Sequence, residues 1–152
     1  MLPALAQTET TLAAEPPEAI APALPAAPDP GLGFEFIPLR HVFFAHDQAA
    51  LDERARQTLD DAVLYLRHAT GIGRVIIQGH ADHTAGIPYN DRLSDRRTAA
   101  VHDYLLAQGI ATHLLYIGGL GEHSPIDENW TREGRARNRR VEIYIVRHPE
   151  LP

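Results

Sequence analysis

Arg74-Val75-Ile76-Ile77-Gln78-Gly79-His80-Ala81-Asp82 decides the fold, because a short β-branched run closes on a glycine and gives way to a loop. The run is too short for a helix and reads as a buried strand. Beyond the loop, Leu93, Ala100, Val101, Tyr104 and Leu105 recur at helical spacing between Pro88, tolerated in a first turn, and Gly109, a helix stop. One residue does not fit that helix. At roughly 100° per residue, Arg97 points within about 40° of Leu93 and Tyr104, inside the apolar stripe. A guanidinium there requires a partner, since burying an unpaired charge costs far more than leaving it in water. Asp82, in the loop leading into the helix, is the carboxylate expected to supply it. Such a pair has two readings. It is either an internal salt bridge that fixes the loop to the helix, or a receptor for a zwitterion carrying both an ammonium and a carboxylate.

Outward from this unit the patterns alternate. Phe34 to Phe44 contains a strand, clearest in His41-Val42-Phe43-Phe44, and Leu51, Ala55, Leu59, Ala62, Val63 and Leu66 mark a helix of about 18 residues. Leu114-Leu115-Tyr116-Ile117 is a third strand, Gly118 to Asn129 a glycine-rich loop, and Arg140-Val141-Glu142-Ile143-Tyr144-Ile145-Val146 a last alternating strand. The order βαβαβ-β implies an α/β fold, with one mixed four-stranded sheet and helices packed on one face. Residues 34–148 make this single domain, and 149–152 are a short tail. Residues 1–33 hold Pro16-Pro17, Pro22, Pro25, Pro28 and Pro30 among Ala, Glu and Thr without periodicity, the composition of an extended linker. Ala4-Leu5-Ala6 before Gln7 resembles the small-residue end of a secretory signal peptide.

The net charge of −6 over 152 residues argues against a protein whose main work is gripping nucleic acid. The fourteen basic residues are all Arg, so every cationic contact can be bidentate. The absence of cysteine excludes disulfides, thiol catalysis, cysteine-based zinc sites and a lipidated cysteine within this chain. No apolar run approaches the roughly 20 residues that span a bilayer. Any attachment to a membrane is therefore expected to run through an anchor that this chain does not carry.

Four stretches fall into one pattern: Gly79-His80-Ala81-Asp82 after a strand, Tyr89-Asn90-Asp91-Arg92-Leu93-Ser94-Asp95-Arg96-Arg97 opening a helix, Gly119-Leu120-Gly121-Glu122 with Pro125, and Asn129, Thr131 and Gly134-Arg135-Ala136 ahead of Asn138-Arg139-Arg140-Val141-Glu142-Ile143. Together they resemble the OmpA-like peptidoglycan-binding domain, over about 110 residues from Val42 to Val146. The resemblance implies non-covalent, non-enzymatic binding of the diaminopimelate of peptidoglycan in the periplasm of a Gram-negative bacterium, anchoring the outer membrane or an envelope complex to the wall. Other envelope proteins are further possible partners, and no cofactor is implied. Asp82 would accept the ligand's ammonium and Arg97 would grip its carboxylate side-on. Asn90 and Leu93 would line the pocket and Arg140 would border it. The chain departs from the family at Ala81, at Ala45 where many members have Asp, at Gly86 with the loop glycine one place late, and at Thr98.

A rival reading is a metal site. His80-Ala81-Asp82-His83 resembles the later half of the metal motif of metallo-β-lactamase-like zinc hydrolases, with His80, Asp82 and His83 as ligands, although Gln78 stands where that motif has its first histidine. The arginines at 132, 135, 137, 139 and 140, interleaved with Glu128, Glu133 and Glu142, read as salt-bridged anchors of loops and sheet edge. His80 reads as a strand-end residue satisfied by backbone hydrogen bonds, and Glu122 as a loop carboxylate bonded to backbone.

Overall fold

The computed structural model describes Gly33 and residues 35–148. The rest of the expected linker, its signal-like Ala4-Leu5-Ala6 and the tail at 149–152 lie outside the described residues. Four strands, β1 (Glu35–Phe43), β2 (Ile72–Gly79), β3 (Leu115–Gly119) and β4 (Arg140–Arg147), form one sheet in the order β1-β4-β2-β3. β2 and β3 run parallel, and β4 is antiparallel to both of its neighbours. The mixed sheet expected from the alternation is present.

Period-2 alternation sends Val75, Ile77, Val141, Ile143 and Ile145 to one face, where they meet Leu59, Val63 and Leu66 of α1 (Glu53–His68) and Val101 and Leu105 of α2 (Ile87–Ala107). These side chains are the core, nearly all of them sealed from solvent. Helix α1 starts after Leu51, because the Asp52 carboxylate caps it by accepting the Ala55 N–H at 2.8 Å. Helix α2 opens at Gly86 with a proline in its first turn and ends ahead of Gly109, whose φ of 91° suits a residue without Cβ. A seven-residue helix, α3 (Arg132–Asn138), interrupts the stretch before β4; Thr131 caps it through the Gly134 N–H. Two turns of arginine, glutamate, glycine, alanine and asparagine carry no apolar period, which is why periodicity passes over it. No described helix is long and apolar enough to cross a membrane.

The close seating of α2 on the sheet sets the site. A Cβ on Gly79 would lie 2.1 Å from Thr98 Oγ1 and 2.3 Å from the Ser94 carbonyl, so only glycine lets α2 pass there. Thr98, unusual for the family pattern, fits because its hydroxyl donates to Ser94 O at 2.8 Å. The middle of α2 thus lies against the end of β2.

Candidate functional site

The C-terminal end of β2, its loop, the start of α2 and the segment after β1 enclose a cleft of about 220 Å³. It is lined by His46, Asp47, Asp82, Thr84, Ala85, Tyr89, Asn90, Leu93, Arg97 and Arg139. Four of the five expected site residues, Asp82, Asn90, Leu93 and Arg97, meet here; Arg140 does not.

Arg97 is fully buried, yet its partner is not the expected carboxylate. Its Nε donates to Gln48 O at 2.8 Å, Nη1 to His80 O at 3.0 Å and Nη2 to Ala45 O at 3.2 Å. The guanidinium also lies 5.3 Å from the centre of the Phe44 ring. Among the described residues no carboxylate oxygen comes within 4 Å of it. The segment after β1 folds over the helix and presents carbonyls instead, so Ala45 contributes its backbone where many family members place an aspartate. Burial, with Arg139 nearby, lowers the Arg97 pKa to about 10, which leaves the group charged at neutral pH. With Nε committed to Gln48, the side-on grip is closed and only the terminal nitrogens have N–H groups left for an anion.

Asp82 is held from the other side. Its Oδ1 accepts the Thr84 N–H at 2.9 Å, and its Oδ2 accepts from Arg139 Nη1 at 3.2 Å. Burial opposes ionisation, but the hydrogen bonds from Thr84 and the Arg139 guanidinium outweigh it and hold the carboxyl below its ordinary value. Asn90, also buried, donates from Nδ2 to Ala85 O at 2.9 Å and to Glu122 Oε2 at 2.7 Å. Glu122 therefore ties its glycine loop to a side chain of α2, not to backbone. Tyr89 donates its hydroxyl to Asp47, which adopts a φ of 55°, and both border the cleft.

Arg140 follows the alternation of β4 to the face opposite the core. There its Nε donates to Glu142 Oε2 at 2.6 Å and its Nη2 to Ser124 O at 3.0 Å, and it is 1% exposed. The cleft arginine is Arg139, one residue earlier. The pleat itself carried that signal: with 141, 143 and 145 in the core, 140 must point away from it.

His80 is bonded through its backbone only, N–H to Arg140 O at 2.8 Å and carbonyl to Arg97. Its buried ring has no hydrogen-bond partner among the described residues and stands 3.6 Å from Glu142. Burial lowers its pKa. The zinc reading fails on this geometry: the His80 ring faces Glu142 while Asp82 faces Arg139. Among the described residues no three His, Cys, Asp or Glu side chains are grouped to hold a metal ion.

Comparison with known proteins places the fold. A family model described as the OmpA family matches residues 43–139. The chain is 43% identical over 104 residues to an outer membrane protein A of Bordetella avium, covering 68% of this chain and 53% of that protein. It is 39% identical over 104 residues to the peptidoglycan-binding protein ArfA of Mycobacterium bovis, covering 68% of this chain and 32% of that one. The solved structure of the cell wall anchor of the T6SS from Pseudomonas aeruginosa superposes with a TM-score of 0.58 at 33% identity, over 69% of this chain and 75% of that one. The chain spans about half or less of the length of these two curated relatives. On the match to the family model, which takes in everything from the end of β1 to the start of β4, the chain belongs to the OmpA family.

Proposed function

We propose that this domain binds peptidoglycan without covalent chemistry, by taking the free dipolar end of diaminopimelate in the stem peptide into the cleft between Asp82 and Arg97. The observation that carries this reading is a buried, charged guanidinium with no carboxylate among the described residues within 4 Å, sharing a small cleft with an ionised aspartate. A buried cation held only by carbonyls gains most from an anion, and a carboxylate-bearing ligand supplies one. Its ammonium, a few ångströms away, is met by Asp82. Asn90 fixes the loop that frames the cleft, and Leu93 gives the ligand's methylenes an apolar wall. Two relatives named for wall binding, a peptidoglycan-binding protein and a cell wall anchor, support peptidoglycan as the target.

The domain then acts as an anchor in the periplasm of a Gram-negative cell, linking the outer membrane or an envelope complex to the wall. Residues 1–33, by composition, serve as its tether. The test is co-sedimentation with purified sacculi. Asp82→Asn abolishes it while the thermal transition is retained, and a stem peptide with diaminopimelate competes where its lysine counterpart, which lacks the side-chain carboxylate, does not. Full binding by Asp82→Asn, or equal competition by the lysine peptide, overturns the proposal.

A further inference from the structure

Of the five arginines clustered between 132 and 140, three have anionic partners: Arg137 pairs with Asp127, Arg139 with Asp82 and Arg140 with Glu142. The other two do not. Arg135 donates only to the Asn129 carbonyl, at 2.9 Å, and Arg132 has no ion pair or hydrogen bond among the described residues. Both line a second cleft, of about 590 Å³, together with His46, His83, Thr84 and Arg139. Among the described residues none of those lining it is acidic. Helical spacing explains the segregation: Arg132 and Arg135 share one side of α3, while Glu133 and Arg137 line a different groove, and Arg139, just past the helix, borders both. The interleaving of Glu and Arg in the sequence is thus undone in space.

His46, Thr84 and Arg139 belong to both clefts, so the second opens directly beside the first. We infer that it is an anion subsite, and that it takes a second carboxylate on the same peptide whose dipolar end occupies the first cleft. This rests on the diaminopimelate reading of that first cleft. Two guanidiniums without counterions on one wall favour a planar, bidentate acceptor, and the shared wall favours one carried by the residue next to diaminopimelate. The ligand class is therefore an acidic peptide with a free carboxylate on the residue preceding diaminopimelate, and the subsite discriminates it from the amidated form.

Calorimetric titration of the full chain with four probes tests this: diaminopimelate alone, a glutamyl-diaminopimelate peptide with its glutamyl carboxylate free, the same peptide amidated there, and inorganic phosphate. The free-carboxylate peptide is expected to bind about tenfold more tightly than the amide, the size of one charge-assisted contact. In Arg132→Gln/Arg135→Gln the two peptides bind alike, and diaminopimelate alone binds as it does to the unaltered chain. Equal affinity for both peptides in the unaltered chain, or a preference that survives the double substitution, overturns the subsite while leaving the first cleft standing. Failure of diaminopimelate itself to bind removes the first cleft instead. Inorganic phosphate binding more tightly than the free-carboxylate peptide assigns the arginines to a phosphorylated ligand and overturns the inference.

Discussion

Asp82 and Arg97 border one cleft without bonding to each other: the aspartate is held by Arg139 at 3.2 Å, and the arginine by three backbone carbonyls. An internal salt bridge between them would have neutralised both and left little for a ligand to do. Kept apart, Arg97 has no counterion, and Asp82, though paired with Arg139, borders the same small space, so a dipolar guest is the simplest molecule that answers both.

The carbonyl cage makes Arg97 structural as well as receptive. Arg97→Ala leaves Ala45, Gln48 and His80 carbonyls without their donor, at roughly 1–3 kcal/mol each. The total expected loss is therefore at least about 3 kcal/mol, read as a lower urea midpoint with unchanged slope. A loss below about 1 kcal/mol would show that water replaces the guanidinium freely. Arg97→Ala is consequently a poor probe of binding, and Asp82→Asn is the better one.

Most of the architecture was legible because it is written in periods. Val75 and Ile77, then Val141, Ile143 and Ile145, announce strands, and the apolar stripe of α2 announces its buried face. Arg97 stood out as a charge inside that stripe, and the loop aspartate followed from it. The cage around Arg97 was not legible, because backbone carbonyls have no side-chain signature and any sequence after β1 could supply them. The exchange of Arg140 for Arg139 was readable in principle from the phase of β4. Arg132 and Arg135 were hidden by their glutamate neighbours, since adjacency along a chain says little about adjacency across a helix.

Glu142 governs the acid limb of stability on the face away from the cleft. Burial opposes its ionisation, but the His80 ring 3.6 Å away, the hydrogen bond from the Tyr144 hydroxyl and the bonded, charged Arg140 outweigh this and hold its pKa far below the ordinary value of 4.5. A carboxyl whose pKa is depressed by folding contributes stability above its unfolded pKa and loses it as the pH falls through the folded one. Glu142→Gln leaves the buried Arg140 without its anion, and should cost about 3–5 kcal/mol at pH 7. The gap between variant and unaltered chain should narrow as the pH drops below about 4.5. Denaturation at pH 7 and at pH 3 measures it, and an unchanged gap would contradict the assignment.

Gly79 tests whether the cleft depends on the seating of α2. An added methyl meets Thr98 Oγ1 and the Ser94 carbonyl at 2.1 and 2.3 Å, and one of these belongs to rigid helix backbone. Gly79→Ala should cost about 1–3 kcal/mol or more through overpacking and should also weaken sacculus binding, because Asn90 and Arg97 move with the helix. Gly109→Ala is the control. A Cβ there meets nothing within 4 Å, so only the φ of 91° is strained, at about 1–2 kcal/mol, with binding intact. Equal loss of binding in both variants would mean that sacculus binding tracks global stability and not helix position.

Arg139 and Arg140 differ by one position and by a face of the sheet, so their variants should separate binding from stability. Arg139 is partly exposed, with 16% of its side-chain surface accessible, and it touches the carboxylate proposed to take the ammonium. Arg139→Gln removes a cation competing for Asp82 but also the group that keeps Asp82 ionised and oriented. Orientation decides the sign, because a carboxylate free to turn toward water is a weaker receptor. Sacculus binding should therefore fall several-fold, with a stability cost of about 1–3 kcal/mol. Arg140→Gln should do the reverse. It strands Glu142, 6% exposed, without its cation at about 3–5 kcal/mol, while chain that remains folded binds sacculi normally. Binding normalised to folded fraction by circular dichroism reads both at once, and a binding defect in Arg140→Gln as large as that in Arg139→Gln would return Arg140 to the site.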